Sequence, residues 1–313
     1  MNHSITRRAA LAAFVAVGAG AALPARSQGR DADPSVRHDS SPYVPTPQKV
    51  VDEMLRMGRV GRDDYLVDLG SGDGRIVITA AQRFGTRGLG VDLDGQLVRQ
   101  ATAAAERAGV ADRAQFVQRD IFKTDLRKAD VVTMYLLPEV NMMARPKLLS
   151  ELRVGARVVT HDYHFDDWLP DERIMLEVPE KKVGTPGIAY VYAWVIPAAG
   201  AGRWRGEVAV GGRRQPLELD LEQRFQLLTG SASVGGRPAK VMFAEMDGSE
   251  MKVILALAAG AGPARMELRG QMRGEEVVGT VRVGNDPASA RDGWKAVCEQ
   301  RRAPFMGASA GAR

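Results

Sequence analysis

Thiols are nearly absent from this chain: Cys298 is the one cysteine in 313 residues. A lone thiol forbids an internal disulfide and leaves too few thiolates for a zinc or iron–sulfur site. Acid is missing from the first 30 residues, which carry Arg7, Arg8, Arg26 and Arg30. Four units of the formal +5 charge therefore sit in that leader, and the pI of 9.4 describes the leader rather than a nucleic-acid-binding body. No nucleic-acid partner is expected. A long apolar run is lacking too, since the stretch from Ala9 to Leu23 is too short and too alanine-rich to span a bilayer comfortably. With 45% apolar residues and mixed charge, the remainder reads as globular and long enough for about two domains.

The leader places an arginine pair directly before its apolar run, in Thr6-Arg7-Arg8-Ala9, and offers small residues for cleavage around Ala25-Arg26-Ser27. Residues 1–27 are read as a twin-arginine export signal, which implies a periplasmic protein, with an uncleaved membrane anchor as the alternative. A polar linker, 28–41, follows. Ser41-Pro42-Tyr43-Val44-Pro45-Thr46-Pro47 is then held extended by its prolines, and Thr46 with Pro47 has the form of an N-cap and first-turn pair for a helix that Gly58 ends. Tyr43 and Thr46, on a stiff segment just before the first core strand, are expected to lie over a ligand site.

That strand runs into Leu66-Val67-Asp68-Leu69-Gly70-Ser71-Gly72-Asp73-Gly74-Arg75-Ile76, a glycine turn opening a helix. Its spacing is Gly-x-Gly-x-Gly, whereas a dinucleotide fingerprint reads Gly-x-Gly-x-x-Gly and seats a pyrophosphate on the helix N-terminus. Asp68 and Asp73 would repel a pyrophosphate and suit a ligand with a cationic end. S-adenosylmethionine (AdoMet), with its sulfonium and α-ammonium groups, is such a ligand.

From residue 64 onward strand and helix patterns alternate: strands at 64–69, 87–92, 114–119, 129–135 and 156–163, helices near 73–84, 94–109 and 138–152. This predicts a doubly wound, Rossmann-like parallel sheet with its ligand at the carboxyl ends of the strands. Runs at 172–178 and 187–196 lack a helix between them and are expected to pair antiparallel at the sheet edge. Asp92 ends the second strand, 24 positions after Asp68, where a carboxylate can hold ribose hydroxyls. Asp94 is the better cap for the following helix, which leaves Asp92 for the ribose. Asp120 ends the third strand, placed to accept from an adenine amino group while Ile121 covers the ring.

Three acids on successive strand ends, with an antiparallel last pair, resemble the seven-stranded class I AdoMet-dependent methyltransferases over residues 42–196. More narrowly, Pro42-Tyr43-Val44-Pro45-Thr46, the Val67–Val77 loop, Gly155-Ala156-Arg157-Val158-Val159 and Trp168-Leu169-Pro170 are similar to the mitochondrial protein-lysine methyltransferases that modify the c-ring protein of ATP synthase and the adenine nucleotide translocator. Asp92, where Glu is more usual, Tyr135-Leu136-Leu137-Pro138 and a long C-terminal extension depart from that pattern. The resemblance implies AdoMet as cofactor, with Asp68, Gly70, Ser71, Gly72 and Asp73 at its methionine end, Asp92 at the ribose, and Asp120 and Ile121 at the adenine. It also implies a protein lysine as methyl acceptor, a small quinone- or lipid-like acceptor being the alternative. Tyr135 would stand where the acceptor meets the sulfonium, and Tyr43, Tyr135 and His161 are the candidates for orienting it. His161-Asp162-Tyr163-His164 invites a metal reading, but residues three apart on a strand point to opposite faces, and no metal is expected. Met142, Met143, Leu148 and Leu149 read as core of a helix interrupted by Pro146.

Helix patterns are lacking after Pro197-Ala198-Ala199-Gly200-Ala201-Gly202, read as a small-residue linker. Runs at 204–210, 216–221, 224–229, 239–246, 250–257, 264–270, 276–283 and 293–300 predict a small all-β barrel or sandwich over 203–302, ahead of a disordered tail, 303–313. Its expected role is stabilisation, oligomerisation or recruitment of the acceptor. If the first domain were only a scaffold, the chain would be a binding protein with the β domain doing the recognition.

Overall fold

The computed structural model describes residues 3–6, 43–210, 212–257, 265–284 and 292–304. The arginine pair Arg7-Arg8, the rest of the leader, the 28–41 linker, Pro42 and the tail beyond Pro304 lie outside the described residues.

Eight strands form the first sheet: β1 (His3–Thr6), β2 (Tyr65–Leu69), β3 (Arg87–Asp92), β4 (Ala114–Gln118), β5 (Val131–Met134), β6 (Arg157–His161), β7 (Glu172–Val178) and β8 (Gly187–Val195). Their order is β1-β7-β8-β6-β5-β2-β3-β4. Strands β2 to β6 pair parallel, while β8 runs antiparallel between β6 and β7, as the missing helix predicted. Strand order reverses between β2 and β5, so a crevice opens at the carboxyl end of β2, where the glycine turn lies.

Period-two alternation sorts the strand residues onto two faces. Leu66, Val131, Val159 and Val191 face helices α1 (Gln48–Met57) and α2 (Arg75–Phe84), and Ala105 of α3 (Gly95–Arg107) joins that core. Val67, Val132, Val158 and Trp194 face α4 (Pro138–Glu151) on the other side. Three expectations change here. Helix α4 runs unbroken through Pro146, and Met143 is exposed while Leu148 is buried. Thr46 does not cap α1, which starts after Pro47 without a side-chain cap; its hydroxyl turns inward toward His161 instead.

The second domain is a closed antiparallel barrel of β9 (Gly202–Val210), β10 (Arg213–Arg224), β11 (Leu227–Val234), β12 (Arg237–Asp247), β13 (Glu250–Leu257), β14 (Arg265–Arg273), β15 (Glu276–Val283) and β16 (Asp292–Arg301). Each strand pairs with the next and β16 closes on β9, which leaves no free edge among the described strands of the barrel. Trp204, Leu217, Met251, Leu268 and Trp294 fill the interior. The expected strand at 224–229 is wrong: Arg224 and Leu227 face each other across a two-residue turn of Phe225 and Gln226, with Phe225 at φ 52°. Such turns usually carry Gly or Asn, so no residue type marks this one.

The segment 197–202 is not a loose linker. Pro197, Ala198, Gly200 and Ala201 are buried, and the buried amide of Gln223 accepts from Gly200 N at 2.6 Å and donates to the carbonyls of Ala198 and Phe225. The two domains share a core, because Phe225 packs with Trp168 and Trp194 of the first.

Candidate active site

A cleft of about 420 Å³ opens at the carboxyl ends of β2, β3 and β4. Asp68, Gly70, Ser71, Gly72, Asp73, Asp92, Asp120, Ile121, Tyr43 and Tyr135 all line it. His161 does not. It lies behind Tyr135, fully buried, with the two ring centroids 3.9 Å apart.

The glycine turn is shaped by backbone need. Gly70 and Gly72 have φ 79° and 52°, and a Cβ on Gly72 would fall 2.4 Å from the Tyr43 ring, one on Gly70 2.5 Å from Leu136. The turn is braced by an acid from the neighbouring strand. Asp92 accepts from Gly72 N at 2.8 Å and from Asp94 N at 3.0 Å, while Asp94 caps α3 through Gln96 N and Leu97 N. Asp120 caps the short 3-10 turn Ile121–Lys123 by accepting from Phe122 N at 2.8 Å. Each carboxylate thus has a structural partner and still faces the cleft.

Asp68 is buried, and burial pushes its carboxyl up to about 7 against the opposing hydrogen bond from Thr133 Oγ1 at 2.7 Å. A cation delivered to the cleft would restore its charge. Asp73 lines the cleft while forming a fork with Arg75, whose Nε and Nη2 reach its oxygens at 2.9 and 2.5 Å. Burial raises the Asp73 carboxyl, and the Arg75 hydrogen bonds outweigh it and hold the group below its ordinary range. Arg75 also donates to Thr46 O at 2.8 Å, which ties the Tyr43–Thr46 segment across the turn.

At the far end, burial first and then the charge of Asp162 push the Tyr135 phenol well above its ordinary range. Tyr43 is raised by burial and then by Asp73. Burial lowers His161 to about 4, so the imidazole is neutral at physiological pH. Its Nδ1 lies 3.4 Å from Thr46 Oγ1 and its Nε2 is 3.6 Å from Asp162. Sequence reasoning missed Asp162, Lys181, Arg75 and Thr133. Asp162 sits at φ 62°, accepts from Tyr190 N and pairs with buried Lys181 at 2.8 Å. His164 is exposed and accepts from Asp166 N; among the described residues no cluster suits a metal ion.

The cleft fits AdoMet on three observations of this chain. Both glycines that would carry a Cβ into its walls are bare, Ser71 Oγ is buried and without a partner, and a buried carboxyl waits for a cation. Asp68 and the turn backbone would hold the methionine end, Asp92 the ribose and Asp120 with Ile121 the adenine.

Comparison with known proteins agrees. Residues 68–172 match the model described as the ANTKMT methyltransferase domain. A protein-lysine N-methyltransferase of Saccharolobus islandicus is 47% identical over 137 residues, 44% of this chain and 85% of that protein. The chain belongs to this methyltransferase family. An adenine nucleotide translocase lysine N-methyltransferase of Mus musculus is 39% identical over 41% of this chain, which spans 56% of that enzyme's length. The structure of an RNA methyltransferase from Salinibacter ruber with S-adenosyl-L-homocysteine is 45% identical, covering 49% of this chain and 93% of that one, at a TM-score of 0.44. The barrel, β9 to β16, lies outside the matched domain of this AdoMet-dependent methyltransferase.

Proposed function

We propose that this methyltransferase passes the methyl group of AdoMet to a lysine side-chain amine of a protein. The observation that carries this is the pair of cleft-lining phenols, Tyr43 and Tyr135, which stay neutral, together with Arg75, the one cation among the described lining residues, which Asp73 neutralises. An amine must lose its proton before it can attack, and hydroxyls that stay neutral give the amine acceptors to orient on without adding a charge that would hold its proton. AdoMet supplies the activated methyl group. The residues of this chain supply alignment, worth up to ~7–11 kcal/mol in favourable systems. Relatives named for protein lysine methylation support the same acceptor class. The arginine pair ahead of Ala9–Leu23 supports export or membrane anchoring of the enzyme.

The test uses AdoMet carrying a labelled methyl group and a protein extract, with acid hydrolysis of the labelled fraction. Methyl-lysine in the hydrolysate supports the reading. Label found only in an organic extract would assign a small lipid- or quinone-like acceptor instead. Calorimetric AdoMet binding without transfer to any fraction would make the first domain a scaffold. Asp92→Ala is the control, because losing a charge-assisted hydrogen bond worth ~1.5–3 kcal/mol weakens cofactor binding about 10- to 100-fold.

A further inference from the structure

We propose that the β10–β11 hairpin tip of the barrel, Arg224-Phe225-Gln226, is a positioning element for the acceptor half of the methyl-transfer site, an inference that rests on the function proposed above. The tip is driven into the first domain rather than laid against it. Phe225 is 2% exposed, stacks on Trp168 with centroids 5.8 Å apart, and carries the Arg145 guanidinium 5.4 Å above its ring. A phenylalanine held at φ 52° occupies a backbone region that L-residues disfavour, and such strain persists only where the surroundings fix it. The burial of its ring against Trp168 does so.

Its two neighbours grip the same region. Arg224 donates to Asp167 at 2.7 Å, and Asp167 also receives Arg145, a buried side chain of α4. Gln226 donates to Leu169 O at 2.6 Å and to Asp171 at 3.0 Å, while its own carbonyl accepts from Met246 of β12. Segment 162–171 is therefore a loop whose carbonyls are taken by side chains of different elements. Tyr163 O accepts from Asn141, Phe165 O from Arg145, Trp168 O from Trp194, and Leu169 O from the barrel.

The pinned elements are those that carry the acceptor end of the cleft. Tyr163 lies 6.4 Å from Tyr135, His161 immediately precedes the loop, and Val140 of α4 lines the cleft. The cofactor acids sit elsewhere, on β2, β3 and the end of β4, and none of them touches the hairpin through the hydrogen bonds described. Loosening the tip should therefore disturb acceptor alignment and leave the cofactor seat intact. Misplacement of about 1 Å at a reacting pair can cost around a hundredfold in rate.

The experiment compares full-length wild type with Phe225→Ala and Arg224→Gln, and with Arg224→Lys as the conservative variant. Three readouts are taken: calorimetric AdoMet affinity, amide exchange of 136–146 and 162–171 against 66–76, and the rate of methyl-lysine formation in the protein extract. The expected result is AdoMet affinity within about twofold, exchange faster by about tenfold in the two acceptor segments only, and a turnover rate about tenfold lower, largely restored by Arg224→Lys. A role confined to overall stability would instead speed exchange in 66–76 as well. The proposal is overturned if exchange in the two segments is unchanged, if it rises together with 66–76, or if it rises while turnover stays at the wild-type rate. Should Phe225→Ala fail to fold, Arg224→Gln decides, because the ion pair with Asp167 that it breaks is partly exposed and the substitution leaves the Phe225 ring in place. A wild type that binds AdoMet and forms no methyl-lysine would sink the function proposed above, independently of the variants.

Discussion

Lys181 and Asp162 form an ion pair of 2.8 Å in which both side chains are almost wholly shielded from water. The lysine also donates to Thr185 O at 3.0 Å and to Ile188 O at 2.8 Å. The carboxylate in turn stands beside His161 and charges the surroundings of Tyr135. One buried pair thus closes the β7–β8 loop and sets the electrostatics behind the acceptor end.

Removing one partner should leave the other buried and uncompensated. Lys181→Met is expected to cost about 3–5 kcal/mol of stability, as broken buried pairs do. The double variant Lys181→Met with Asp162→Asn should lose less than the sum of the two single changes, since the stranded charge is gone. Urea denaturation of the four proteins in the cycle measures this, and additive losses would show that the pair is not coupled.

The cofactor half of the site was legible in the sequence because each of its parts is local. Asp68, Asp92 and Asp120 are placed by the strands they end, and a strand can be recognised from its own residues. Of the acceptor half Tyr43, Tyr135 and His161 could be named but not their supports, because those are made by long-range meetings. Lys181 finds Asp162 only when β8 folds back beside β6, and no spacing in the chain marks the two as partners. The barrel shows the same division: seven of its strand patterns fall on single strands, while 224–229 fails at a turn made by Phe and Gln. That turn owes its conformation to Trp168 in another domain, not to its own residues.

Asp68 gives the apoprotein a pH signature. Its folded value of about 7 lies above the unfolded value near 3.8, so the folded state binds more protons than the unfolded state between those limits. Stability from this group is full below about pH 4 and is lost as pH rises toward 7, at roughly 1.4 kcal/mol per unit. His161 slopes the other way: its folded value near 4 is below its unfolded 6.5, so acidification through that window destabilises. The two slopes largely cancel in the wild type. Asp68→Asn removes one of them, so the variant should gain stability over wild type as pH rises from about 4 to 7 and lose stability steeply on acidification. Thermal melts of both apoproteins across that range check the sign. A pH-independent difference between them would mean that Asp68 titrates normally.

Gly72→Ala tests the turn. Alanine at φ 52° costs about 1–2 kcal/mol from the backbone alone, and its Cβ would fall 2.4 Å from the Tyr43 ring, which must move. Tyr43 lines the cleft, so its displacement is expected to weaken AdoMet binding by about tenfold, ~1.4 kcal/mol. Calorimetry on the folded variant, after a thermal melt has confirmed a modest stability loss, gives the number. Unchanged affinity would place Tyr43 outside the cofactor seat and leave it only an acceptor role.

The methyltransferase half should not stand alone, although the matched family domain, residues 68–172, lies wholly within it. Cutting the chain at Pro197 removes Phe225 from the face made by Trp168, Trp194 and Phe165, and takes the Gln226 amide away from Leu169 O and Asp171. Aromatic side chains bury about 150–250 Å² each, so the uncovered face would exceed the few hundred Å² that a soluble monomer usually tolerates. Residues 43–197 are therefore expected to associate or bind a hydrophobic dye, and replacing Trp168 by a smaller polar residue would not cure this, because Trp194 and Phe165 remain. Light scattering with dye fluorescence on the truncated chain decides it. A monomeric, dye-silent fragment with full AdoMet affinity would show that the shared core is dispensable and that the barrel is an independent module.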